Sequence, residues 1–431
     1  MTSRQDAPAP LRRRGPRPLL LHLTLAMLRS NVSVAASLTS NPASPPWKDV
    51  FPPVAGPAFE ALAAALRADP QAEAALPGAV LAEAARQDAA LIAGIAAYRR
   101  HPYARDLPDP LAIWTEGASR LLDYGAPAPR RDRRPALLFV PSLVNRAYVL
   151  DLAPGHSFLR WLAGQGMRPL LLDWGWPEAA ERGFTLTDYI AGRLERALEA
   201  AGPVVLAGYC MGGLLALAAA LRRPGRVRGL ALLATPWDFH AAGAAPAEAL
   251  AQLAPLLEPA LALHGALPID ALQLLFTLLD PFGVAEKYRA FARLDGAGAR
   301  ARLFVALEDW LNDGIPLAAP VARECLSGWY GANTPARGAW LVAGLAVDPA
   351  ALAMPAFLAA PARDRIVPPE SALALARALP AARVISPAAG HIGMVAGAGA
   401  EAALWAPFAA WVAGLPAEPG GPGWRQPRRN P

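Results

Sequence analysis

One of the chain's two cysteines, Cys210, stands at the centre of the run Gly208-Tyr209-Cys210-Met211-Gly212. The residues before it, "PVVLAG", are apolar and β-forming, and a helical pattern rich in alanine and leucine follows it. Small residues two before and two after a central residue are what a strand-to-helix turn needs when it holds a nucleophile in a strained conformation, because larger side chains would clash where strand meets helix. The N-terminal end of that helix favours thiolate at the sulfur. The backbone N–H of Met211 is placed to stabilise an oxyanion. Serine is the usual residue at such a turn; here it is cysteine.

A thiolate nucleophile works with a histidine base and an acid, and in this turn architecture they follow in the order nucleophile, acid, base. Of six histidines, only His391, in "SPAAGHIGMV", sits in a small-residue loop directly after an apolar strand near the C-terminus. The acid belongs one strand earlier, where Asp364 in "FLAAPARDRIVPP" follows residues 356–360. Each residue alone also has a structural reading: a small buried thiol, a turn-capping carboxylate, a satisfied loop histidine. Their joint order favours the catalytic one. Cys325 has no such context and is read as structural.

Cysteine in place of serine points to a reaction. Attack by serine on a thioester gives an oxygen ester and discards much of the acyl group's activation, whereas attack by cysteine gives another thioester that can pass its acyl group to a hydroxyl. The expected chemistry is acyl transfer from a thioester donor.

The elements that must position these residues are visible as short apolar runs without polar alternation, the mark of parallel strands buried on both faces. They lie at 136–141, 168–173, 203–208 and 228–234, separated by helical patterns at 156–162, 187–200 and 211–221. Such alternation predicts an α/β fold with a mostly parallel sheet. Residues 236–340 are mainly helical before strands resume at 356–360 and 382–386, so a helical cap inserted over the site is expected. The predicted core is thus 131–235 and 341–415, with a cap at 236–340. Residues 1–130 form a helical, proline-rich N-terminal extension, ending in the charged linker "APAPRRDRRP", and 416–431 form a flexible tail.

Composition excludes some functions. Two cysteines are too few for a disulfide framework and no Cys/His spacing suggests a metal site, so a reducing cytoplasm is expected. The net charge of +6 comes almost wholly from scattered arginines, since Lys48 and Lys287 are the only lysines, and no recognition motif accompanies them. No nucleic-acid partner is expected. Near the N-terminus a basic flank precedes the apolar run Leu19–Leu28, which is too short to span a bilayer and lacks a clean cleavage site. A helix packed on its own domain is the favoured reading, and a helix lying on a membrane or lipid inclusion the alternative.

With these residues in place, the segments "VPSLVNRAYVLDLAPGHSFLRWLAGQGMRPLLLDWGWP", "FTLTDYI", "GYCMGG", "TPWDF", "DRIVPP" and "GHIGMV" resemble the polyhydroxyalkanoate synthases, of the α/β-hydrolase superfamily, in order and spacing over roughly 110–415. "LVNRAYVLDL" and "LDWGWP" look closest to the short synthases that work with a second subunit. Three positions depart from that family: Arg365 stands where histidine commonly follows the acid, Pro369 where tryptophan follows "IVP", and Leu214 where threonine is frequent.

The resemblance implies an α/β-hydrolase fold and a granule-associated cytoplasmic enzyme that polymerises 3-hydroxyacyl-coenzyme A, 3-hydroxybutyryl-coenzyme A for example, into polyester. Cys210 would carry the acyl chain, His391 would act as base on the thiol or on the incoming hydroxyl, and Asp364 would orient His391 or assist that hydroxyl. The second oxyanion donor would be the Val144 backbone in "PSLVNR". It implies no metal or bound organic cofactor, with coenzyme A as the donor's carrier, and as partners the polyester granule and a second synthase subunit or a second copy of the chain. Two other readings stay open: a thioester or polyester hydrolase using the same triad, and a non-catalytic granule protein anchored by its N-terminal apolar segment.

Overall fold

The apolar runs form strands within a residue of their expected ends. In the computed structural model, which describes residues 13–39, 56–125 and 135–416, the strands are β1 (Leu111–Glu116), β2 (Ser119–Asp123), β3 (Ala136–Val140), β4 (Pro169–Asp173), β5 (Val204–Tyr209), β6 (Val227–Leu233), β7 (Ala356–Ala359) and β8 (Ala382–Ile385). They make one eight-stranded sheet in the order β1-β2-β4-β3-β5-β6-β7-β8. Strands β3 to β8 are parallel. Every residue of β3, β4, β5 and β7 is buried, which is why those strands read as continuous apolar runs. The α/β architecture with a mostly parallel sheet is the one expected.

The β1–β2 hairpin was not legible in the sequence and falls in the stretch expected as a helical extension. It pairs antiparallel onto β4, through Arg120↔Asp173 to Asp123↔Leu170. Its outer strand is largely exposed, so it carries no continuous apolar signal. Gly117, at φ +53, makes the tight turn between the two strands.

Two helical expectations shift. The pattern at 156–162 becomes helix only from Phe158, because the Ser157 hydroxyl caps it by accepting the Arg160 N–H at 3.1 Å, while His156 and Ser157 pair with residues 151–153. The pattern at 187–200 opens with a π-helical stretch, Asp188–Leu194, before α-helix Glu195–Ala201.

The chain divides into two compact units, one of residues 1–103 with 280–312 and one of residues 104–279 with 313–431. Thus 280–312, part of the stretch expected as a cap, cluster with the N-terminal residues. Between β6 and β7, the sheet-containing unit keeps helices Ala244–Ala251, Ala254–His264 and Ile269–Thr277, and the π-helical segment Glu324–Gly331. The proline-rich connector around 40–55, the linker at 126–134 and the tail beyond 416 lie outside the described residues.

The other unit is helical. Its core gathers Leu91, Ile95 and Tyr98 of helix Pro70–Arg100 with Tyr288, Phe291 and Val305. Gly94 is required there, since an added Cβ would fall on the Tyr288 carbonyl oxygen. The apolar run at 19–28 is corrected in length: it continues as one helix, Leu19–Thr39, long and apolar enough to cross a membrane. Its serines satisfy their hydroxyls within the helix, Ser33 donating to the Arg29 carbonyl at 2.8 Å and Ser37 to that of Val34 at 2.7 Å. Ala26 and His22 are buried, whereas Leu20, Met27 and Leu38 are exposed.

Candidate functional site

Parallel strands present their carboxyl ends on one edge of a sheet, and crevices there take ligands. Cys210 follows directly on β5, whose last residues pair Gly208↔Val140 and Tyr209↔Leu233. Its N–H donates to the Leu233 carbonyl at 2.8 Å, while its own carbonyl accepts from Gly213 at 2.9 Å as helix Met211–Arg222 begins. These bonds force Cys210 to φ +57, ψ −131, a conformation L-residues rarely hold, at a cost of about 1–3 kcal/mol. The neighbouring glycines permit it: a Cβ on Gly212 would fall on the Val140 carbonyl oxygen, and one on Gly208 would overlap Gly213.

Asp364 sits in the loop after β7. One carboxylate oxygen accepts the N–H groups of Ile366 and Val367, both at 2.9 Å, and the other lies 2.7 Å from His391 Nδ1. Both residues are buried. With Nδ1 donating to Asp364, the opposite ring nitrogen, Nε2, is the one left for Cys210, whose side chain helps to raise the His391 pKa. Burial lowers the His391 pKa, but negative charge at Cys210, the hydrogen bonds to Asp364 and Cys210 and the Asp364 charge outweigh it, raising the value to about 10. The three residues picked from sequence are therefore brought together, a 2.7 Å carboxylate–imidazole bond with the Cys210 sulfur acting on the same imidazole.

Cys210 opens onto a cavity of about 550 Å³, which Met211, Ser142 and Val144 also line. Its far walls are apolar, with Leu250, Leu275, Phe276, Leu326 and Trp329 from the segments between β6 and β7. Cys325 lies on the same wall; burial pushes its thiol far up, and Glu324 adds to the shift. Arg365 also lines the cavity. No group of three or more His, Cys, Asp or Glu side chains suited to a metal occurs among the described residues.

A family model described as alpha/beta hydrolase fold matches residues 184–398, which contain Cys210, Asp364 and His391. The chain is also similar to proteins named poly(3-hydroxyalkanoate) polymerase subunit PhaC. For that of Synechocystis sp. the identity is 31% over 293 residues, 64% of this chain and 77% of the relative. For that of Allochromatium vinosum it is 30% over 274 residues, 61% and 76%. The chain belongs to the poly(3-hydroxyalkanoate) polymerase family. Against the Haloferax mediterranei polymerase subunit the identity is 29%, and the match spans 70% of this chain but 63% of the relative's length. The family is one of acyltransferases, built here on the α/β-hydrolase fold.

Two features of this polymerase site escaped sequence reasoning. Tyr209, immediately before the nucleophile, donates its hydroxyl to the His391 carbonyl at 3.2 Å, and its ring centroid lies 5.1 Å from that of the imidazole. Only its position next to Cys210 could have signalled it. The second concerns Val144, whose N–H the family resemblance offers as an oxyanion donor. Here it donates to the Ser142 hydroxyl oxygen at 3.2 Å.

Proposed function

We propose that Cys210 is the acyl-carrying nucleophile of a polymerising acyltransferase that uses 3-hydroxyacyl-coenzyme A. The observation that carries this reading is buried Asp364 and His391 beside half-buried Cys210, which lines a largely apolar cavity. With the thiol proton already on His391, the Cys210 thiolate attacks the donor's thioester carbonyl, and the imidazolium gives that proton to coenzyme A as the C–S bond of the donor breaks. The product is an acyl thioester on Cys210 plus free coenzyme A. In the second half, His391 removes the proton from a 3-hydroxyl group, whose oxygen attacks the Cys210 thioester. An ester forms, the C–S bond to Cys210 breaks, and the proton stays on His391 beside the regenerated thiolate.

Asp364 holds the imidazole in the tautomer that faces the sulfur. The Met211 N–H, at the start of its helix, stabilises the tetrahedral oxyanion. An apolar wall suits an acyl chain and disfavours water as the competing acceptor, which supports transfer over hydrolysis. The reaction needs no metal or resident cofactor. The word "subunit" in the relatives' names supports a second synthase subunit or a second copy of the chain as partner, and an insoluble polyester product supports a cytoplasmic, granule-bound location.

The test is turnover of 3-hydroxybutyryl-coenzyme A by the purified full chain, following free thiol and product. Ester-linked oligomers, absent with Cys210→Ala, are the expected result. Thiol release that yields only monomeric hydroxyacid would instead make the protein a thioesterase.

A further inference from the structure

The loop after β3 meets the nucleophile turn closely. Gly212, two residues beyond Cys210, lies against the Val140 and Pro141 carbonyls so tightly that a Cβ there would collide with both. The indole N–H of Trp174 donates to the same Pro141 carbonyl at 3.0 Å, which fixes the loop from its other side. The next residue, Ser142, is 6% exposed and lines the cavity together with Cys210 and Met211. Its hydroxyl oxygen accepts the Val144 N–H at 3.2 Å. A hydroxyl is one donor as well as an acceptor, and no described residue accepts the Ser142 hydrogen.

We infer that the Ser142 hydroxyl, oriented by the Val144 N–H, is the side-chain donor that pairs with the Met211 N–H to stabilise the oxyanion formed at Cys210. The inference rests on the proposed role of Cys210. The Val144 N–H does not reach the oxyanion directly; it polarises the hydroxyl that does. A hydroxyl whose lone pair already accepts a hydrogen bond is a stronger donor, and the low dielectric of the site strengthens both links. No atom is transferred by Ser142. Its hydrogen bond strengthens as the thioester carbonyl gains charge and weakens as the carbonyl re-forms.

The test compares wild type, Ser142→Ala and Ser142→Thr in two reactions of Cys210. One is single-turnover acylation by 3-hydroxybutyryl-coenzyme A, read as coenzyme A release and as mass added to the Cys210 peptide. The other is alkylation by iodoacetamide, which passes through no oxyanion. Loss of a donor of this kind costs about 10²–10³-fold in rate. The expected result is a fall of that size in acylation for Ser142→Ala, near-wild-type alkylation, and substantial recovery of acylation with threonine. If Ser142→Ala acylates as fast as wild type, the released Val144 N–H serves the oxyanion itself and the inference is overturned. A parallel fall of acylation and alkylation would overturn it too, since Ser142 would then merely hold the loop. Wild-type protein that turns over without acylating Cys210 would remove the nucleophile reading, and this inference with it.

Discussion

Asp364 Oδ2 lies 2.7 Å from His391 Nδ1, while Asp364 Oδ1 is held by two backbone N–H groups, so the carboxylate cannot turn without breaking three hydrogen bonds. Replacing it by asparagine keeps the shape but sets an amide N–H against Nδ1 or costs the backbone bonds. Asp364→Asn therefore favours the wrong imidazole tautomer. Its kcat is expected to fall by about 10³–10⁴-fold, with KM little changed, as steady-state kinetics on 3-hydroxybutyryl-coenzyme A would show.

His391 gives the pH dependence a definite sign. Its folded-state pKa is raised to about 10 from the ordinary 6.5, so its protonated form is favoured by the fold. The stability this contributes is fully present below about pH 6.5 and is lost as pH rises through about 10. Denaturant titrations from pH 6 to 10.5 should show wild type losing stability relative to His391→Gln across that window. In Cys210→Ala the imidazole loses its negative partner, and its NMR titration should move to lower pH.

The turn itself stores strain at Cys210, with φ at +57. Glycine holds that conformation without a Cβ penalty, whereas alanine keeps the penalty. Cys210→Gly is expected to be more stable than Cys210→Ala by about 1 kcal/mol by denaturant melts, although both lose acyl transfer. Equal stabilities would mean that the turn relaxes around alanine.

Tyr209→Phe removes the hydroxyl that holds the His391 carbonyl. The protein should lose about 1 kcal/mol of stability, the net value of one hydrogen bond. A drop in kcat with a matching fall in the iodoacetamide alkylation rate would place Tyr209 as a positioning residue for the base; unchanged kcat would leave it to packing alone.

What was legible in the sequence follows from how strongly local chemistry marked it. The turn around Cys210 requires glycines at 208 and 212, and strands β3, β4, β5 and β7 are buried on both faces, so both wrote themselves into residue types. Asp364 and His391 could be found because the fold delivers acid and base from loops after successive strands. The β1–β2 hairpin left little trace because its outer strand faces solvent. Helix Leu19–Thr39 runs past Leu28 because Arg29, Ser30 and Asn31 interrupt the apolar run without ending the helix. Ser142 and Tyr209 act through single hydrogen bonds across 2 and 182 positions of chain, a geometry that residue type alone does not encode.

The measurement that tests the central claim most directly is peptide mass spectrometry of the full chain, quenched in acid within one turnover of 3-hydroxybutyryl-coenzyme A. A 3-hydroxybutyryl group on Cys210, present in wild type, slower to form in His391→Gln, and absent from Cys210→Ala, is the predicted result. Turnover with an unmodified Cys210, or acylation that persists in Cys210→Ala at another residue, would contradict it.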